Sequence, residues 1–261
     1  MRKGRWQIAT GAMAALLACG TAHAADEEIQ VYTDDILPPG DFGLDLHTNF
    51  VATGDLTNDY IGQQQSLHRF RLTPEFGYAL TRTIELGAYL PLTEIDSRGR
   101  FGVDGVKLRV KYIHPHAEQG WYWGANFEIG RVARKLDENP YNAELKGILG
   151  FNHGRWAGAF NTNIDFKVAG PASSPASLQL AAQLFYSISK RLSVGVETYN
   201  GAGELRALGH FGSSEQASFI AINRAFGRWD LNLGVGRGYG TNADHLIVKA
   251  IISVPIGRRH A

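Results

Sequence analysis

The sequence predicts an all-β protein, a transmembrane antiparallel up-and-down β-barrel of about twelve strands. Three observations lead there: an export leader at the N-terminus, a period-two alternation of apolar and polar residues through most of the remaining chain, and a strict alternation of short with long connections. Mean hydropathy of −0.18 does not oppose this, because lipid-facing and lumen-facing residues average to the value of a soluble protein. A formal net charge of +1 leaves no basic footprint for a nucleic acid, so no nucleic-acid partner is expected.

The leader comes first. Arg2, Lys3 and Arg5 give a positive start, an apolar run extends from Ile8 to Cys19, and Ala22-His23-Ala24 sets small residues where a signal peptidase reads. Residues 1–24 are therefore expected to be a cleaved signal peptide, and the apolar run is too short to serve as a spanning helix. Cys19 is the only cysteine, so the exported chain would carry no disulfide. Reading Leu16-Leu17-Ala18-Cys19 as a lipobox would instead make Cys19 a lipidated N-terminus, and the intact mass of the mature protein separates the two.

Residues 25–40 follow, acidic and closed by Pro38-Pro39-Gly40. A mobile periplasmic tail is the expectation, since terminal segments are commonly free unless tied down. The alternative is a short plug tucked into the lumen against a basic wall of Lys107, Arg109 and Lys111.

The barrel is expected over 41–257, with a short tail at 258–261. In its first stretch, 42–50, Phe42, Leu44, Leu46, Thr48 and Phe50 share one face, and Gly43, Asp45, His47 and Asn49 the other. Eleven further stretches repeat the pattern: 67–79, 84–92, 105–114, 121–132, 141–151, 156–168, 178–188, 192–200, 218–226, 229–236 and 245–256. In the tenth, Phe219 and Ala221 blur the alternation. Most have about the nine to eleven residues that a tilted strand needs to cross a membrane. Connections at 80–83, 115–120, 152–155, 189–191 and 227–228 are short. Those at 53–66, 93–104, 133–140, 169–177, 201–217 and 237–244 are long and polar. Turns on the periplasmic side and loops outside produce this alternation.

Aromatic residues test the assignment independently. A periplasmic interfacial belt should lie on the outward face beside the short turns. Tyr78, Tyr112, Trp121, Trp123, Phe151, Trp156, Tyr186, Phe226 and Trp229 all fall there, including every tryptophan after the leader. The opposite face is expected to line the lumen with Arg69, Arg71, Glu75, Glu85, Lys107, Arg109, Lys111, Glu128, Glu144, Lys146, Asp165, Lys167, Glu197, Asp230 and Lys249. Ions in such number need water or each other. Eight are positive and seven negative, so strong ion selectivity is not indicated.

Several of these strand patterns resemble the outer-membrane family named for the MetA pathway of phenol degradation. The resemblance rests on Pro39-Gly40-Asp41-Phe42-Gly43-Leu44, Arg71-Leu72-Thr73-Pro74-Glu75-Phe76-Gly77-Tyr78, Ile84-Glu85-Leu86-Gly87, Lys107-Leu108-Arg109-Val110-Lys111-Tyr112 and Asn126-Phe127-Glu128-Ile129-Gly130-Arg131. It implies a membrane barrel and extends loosely over most of the chain. These are strand patterns, not catalytic motifs.

A search for chemistry finds no catalytic, cofactor or metal site to assign. His114-Pro115-His116 could offer two imidazoles to a metal but has no third ligand nearby in sequence. His210-Phe211-Gly212-Ser213-Ser214-Glu215, in the longest loop, holds the residue types of a lipid-deacylating rim site, yet a triad is defined by geometry. The glycine run Gly234-Val235-Gly236-Arg237-Gly238-Tyr239-Gly240 lacks the lysine and helix of a phosphate loop. On a strand it admits a bulky neighbour. The functional expectation is a monomeric channel or carrier for a small solute, in contact with outer-membrane lipid. A barrel with a filled lumen, acting structurally or through its loops, is the alternative, and a rim lipid-modifying enzyme a third reading.

Overall fold

A computed structural model describes residues 28–92, 102–173, 175–209 and 214–256. The leader, the tail at 258–261 and most of the His210–Glu215 cluster lie outside the described residues. Thirteen strands and no helices are found among those described: β1 (Phe42–Gly54), β2 (Phe70–Ala79), β3 (Ile84–Tyr89), β4 (Gly105–Ile113), β5 (Gly120–Val132), β6 (Tyr141–His153), β7 (Trp156–Ala169), β8 (Ser177–Ser189), β9 (Leu192–Glu204), β10 (Ala207–Leu208), β11 (Glu215–Phe226), β12 (Trp229–Gly240) and β13 (Asp244–Pro255). β10 is a two-residue fold-back on the end of β9. The other twelve each pair antiparallel with both neighbours, and β13 pairs with β1 from Gly43↔Pro255 to Gly54↔Asp244. The sheet is therefore a closed twelve-stranded barrel without a free edge, the arrangement that leaves no backbone group unpaired in hydrocarbon.

Local sequence dictates the inside and the outside. Along β4, Val106, Leu108 and Val110 are each about half exposed while Lys107, Arg109 and Lys111 are buried. A soluble sheet would show the reverse, and the inversion recurs around the ring with Leu145, Leu149, Phe160, Val196 and Ile220 outward. An exterior this apolar belongs in lipid.

Differences from the sequence reading fall mostly at the loop end. β2 begins at Phe70, later than 67, because His68 takes a left-handed φ of 57° and the Arg69 amide closes a turn on the Ser66 carbonyl. β3 ends at Tyr89, with Pro91 interrupting before Leu92 bridges Leu72. β9, β11 and β12 run longer than expected, so pairing continues into segments read as loops. In β11 the blurred residues resolve: Ala217, Phe219 and Ala221 point inward and Ile220 outward. Phe219 fits because Gly236 stands opposite, where an added Cβ would come within 2.5 Å of the ring's Cε1.

Candidate functional site

The lumen wall has two unlike halves. From β1 to β6 it is ionic. Gly87 faces Arg109 across β3 and β4, and its lack of a side chain makes room for the Arg109 stem, since an added Cβ would come within 2.5 Å of Cγ and Nε. The Arg109 guanidinium donates to Glu85 at 2.8 Å and also to Glu75, which in turn meets His47 Nε2 at 3.1 Å. Further round, Lys146 pairs with Glu144 at 3.1 Å. From β7 to β13 the inner wall is mostly small or apolar, with Ala159, Ala181, Phe185, Tyr199, Ala217, Phe219, Ala221, Ile247 and Ile251 buried. Its main ionic feature is the buried pair of Lys249 with Glu197. The sequence reading expects inward charges that need water or each other, and it does not single out an apolar half. On these strands both faces carry apolar residues, with Phe219, Ile247 and Ile251 inward and Ile220, Val235 and Leu246 outward, so alternation alone does not tell the lumen face from the lipid face.

Of the expected lumen residues, Arg69, Arg71, Glu75, Glu85, Lys107, Arg109, Lys111, Glu128, Lys146, Glu197 and Lys249 are buried, with Glu144 and Asp165 half-buried. Arg69 sits just before β2 and pairs with Asp244 at the loop end. Lys167, at the loop end of β7, donates to the Ala172 carbonyl. Asp230, on β12 beside the turn, is exposed and lines the interior cavity at its turn end.

The tail expectation for residues 25–40 is overturned for those described, because residues 28–37 run inside the lumen. Asn161, fully buried on β7, grips the backbone of Tyr32 twice: its Oδ1 accepts from the Tyr32 amide at 2.6 Å and its Nδ2 donates to the Tyr32 carbonyl at 3.0 Å. Lys249 donates to the Ile29 carbonyl at 2.9 Å and Lys111 to the Asp35 carbonyl at 2.5 Å, and the Leu37 amide donates to Glu85 at 3.0 Å. Val31 packs into the apolar half against Ala159, Ala181, Tyr199, Ala217, Phe219 and Ile247. Tyr32 turns the other way, onto Ile113, Tyr122 and Ile148, with its hydroxyl donating to Glu128 at 3.1 Å and the Lys146 ammonium 3.9 Å from its ring centre. At the turn rim Asp34 accepts from Asn152 at 3.0 Å and lies 3.4 Å from His116. At Ile29, Tyr32, Asp35 and Leu37, barrel side chains bond the strap backbone groups that a tail would leave to water. Of the basic trio expected to meet a plug, Lys111 bonds to it and Arg109 stands 5.8 Å from the Tyr32 ring centre.

Burial, reinforced by Glu128, pushes the Glu28 carboxyl up to about 7. Burial and the neighbouring Asp35 likewise raise Asp34 above the usual carboxylate range. Glu28, His47 and Glu75 also bring potential ligand atoms within 4.8 Å of one another, a grouping invisible in sequence because its members lie on separate segments. Glu75 is already engaged by Arg109 and His47. The histidines between β4 and β5 have other contacts: His114 stacks on Trp123 with ring centres 4.8 Å apart, and His116 faces Asp34.

Below the strap, a cavity of about 660 Å³ extends toward the turn end. The strap, Glu75, Arg109, Lys249 and the turn residues Lys190, Arg191 and Arg228 line it. Outside, at that same end, the aromatic residues pair across strands: Phe42 with Tyr78 at 4.6 Å, Tyr112 with Trp123 at 5.9 Å, Trp121 with Phe151 at 5.4 Å and Trp156 with Tyr186 at 4.9 Å between ring centres. Trp229 and Phe226 flank the 227–228 turn and are both exposed.

No protein-family model and no curated protein matches the chain. Solved structures do. An outer-membrane channel from Pseudomonas putida aligns with a TM-score of 0.57 at 15% identity, over 88% of this chain and all of that one. The KdgM porin gives 0.53 at 11% identity, over 81% of this chain and 98% of that one. The NanC porin gives 0.53 at 8% identity, over 80% and 97%. At these identities the likeness is one of fold, and that fold is the bacterial outer-membrane β-barrel.

Proposed function

We propose that the chain is a monomeric outer-membrane channel or carrier for a small solute, whose lumen is stopped by its own N-terminal strap. Removal of residues 1–24 on export and placement of the short turns in the periplasm complete the reading, with the aromatic belt at the inner interface. The resemblance of the chain's strand motifs to the MetA-pathway family is consistent with this reading. No enzymatic step is assigned. One observation carries the proposal: the strap is held by side chains and joins no strand, so it can leave the lumen without breaking the barrel's hydrogen-bond ladder.

The test is conductance in a planar bilayer. Deleting residues 28–36 should convert small or intermittent steps into larger, steady ones, because the ionic half of the wall would then face water. Arg109→Ala in that background should shift ion preference toward cations. If both the intact and the deleted forms are electrically silent, the lumen is filled by its own side chains, and the structural or loop-mediated role replaces transport.

A further inference from the structure

On the outer face, β8, β9, β11, β12 and β13 enclose a groove of about 600 Å³. Leu184, Val196, Ile220, Val235 and Leu246 make it apolar. One row nearer the loops its character changes. The pairings Thr198↔Ser218 and Ser218↔Arg237 set these three side chains abreast on the outward face. Thr198 Oγ1 and Ser218 Oγ are 3.2 Å apart, and Ser218 Oγ is 3.2 Å from the Tyr239 hydroxyl. Arg237 borders the groove, is exposed, and makes no hydrogen bond or ion pair among the described residues.

Depth matters for an arginine facing lipid. Arg237 lies eight residues along β12 from Trp229, which at ~3.3 Å per residue and a tilt of ~40° places it roughly 20 Å above the aromatic belt. An apolar band of about 25 Å puts that height near the opposite interface, where a guanidinium is tolerated and can reach a headgroup. A guanidinium is also the side chain whose planar donors match phosphate oxygens in pairs.

We infer that this groove binds one molecule of lipopolysaccharide through its phosphorylated lipid anchor, an acyl chain lying over Val196, Ile220 and Val235 and a phosphate resting on Arg237 beside the Tyr239 and Ser218 hydroxyls. The choice of this lipid rests on the proposed orientation, in which the loop end faces the outer leaflet.

Native mass spectrometry of the full chain in mild detergent tests it, with diphosphorylated lipid A, its monophosphorylated form and phosphatidylglycerol as probes. The expected result is retention of one diphosphorylated lipid A, at least tenfold weaker in Arg237→Gln, largely recovered in Arg237→Lys, and weakened in Val196→Trp, which fills the groove. Heat-modifiable migration checks that each variant is folded. Equal retention by wild type and Arg237→Gln overturns the inference and leaves the channel reading intact. Arg237-dependent retention of phosphatidylglycerol alone overturns it too, and also reverses the proposed orientation. Conductance is read separately, since Arg237 lies outside the lumen.

Discussion

Among the described residues Asn161 makes two hydrogen bonds to the strap backbone, where Lys249, Lys111 and Glu85 make one each. Its amide completes both polar groups of the Tyr32 peptide backbone at a position with no exposure to water. Replacing it with leucine leaves that amide and carbonyl unpartnered in the docked strap, at about 1–3 kcal/mol each, whereas the released strap finds water. Asn161→Leu should therefore raise the open fraction in single-channel records at least tenfold, and speed proteolysis within residues 28–37. Glu28 acts in a pH-dependent way. With its docked carboxyl near 7 and an ordinary value of 4.5 when released, docking favours the protonated form. The stabilisation is thus fully present below about 4.5 and is lost as pH rises through about 7. Conductance should increase over that window, and Glu28→Gln should flatten the profile. Neither residue could be chosen from sequence: Asn161 lies 129 positions from its partner, and Glu28 reads as one acid in an acidic stretch.

At the scale of elements, periodicity was an effective guide because a membrane imposes one environment on each strand face. β4 could be read residue by residue, from Val106 outward to Lys111 inward. Strand ends were less legible at the loop side, where β9 and β11 continue pairing above the apolar band and hydrophobicity no longer marks the boundary. The strap was misjudged for a different reason. Val31 is anchored in a pocket assembled from five strands and Tyr32 in one assembled from three, and a short polar stretch carries no local trace of such pockets. The glycines of β12 were more readable, since a strand with inward glycines needs a large neighbour and Phe219 supplies it. Trp121, Trp123, Trp156 and Trp229 give a spectroscopic check on the barrel's placement. All four stand at the turn end, so bromolipids labelled near the headgroup should quench their fluorescence more strongly than those labelled near the chain terminus. Equal quenching at both depths would contradict a single belt.

For the whole molecule, closure through β1 and β13 sets the geometry from which the strap hangs. β1 starts at the turn rim, directly after the Pro38-Pro39-Gly40 corner, where the Gly40 amide is fixed to the Ala79 carbonyl. From that fixed point back to Tyr32 the chain has eight residues, a reach of roughly 28 Å at full extension. A released strap is consequently leashed to the mouth it has vacated and never has to be found by diffusion. Reclosure is then an intramolecular event, governed by a local concentration on the order of millimolar and indifferent to how many copies the membrane holds.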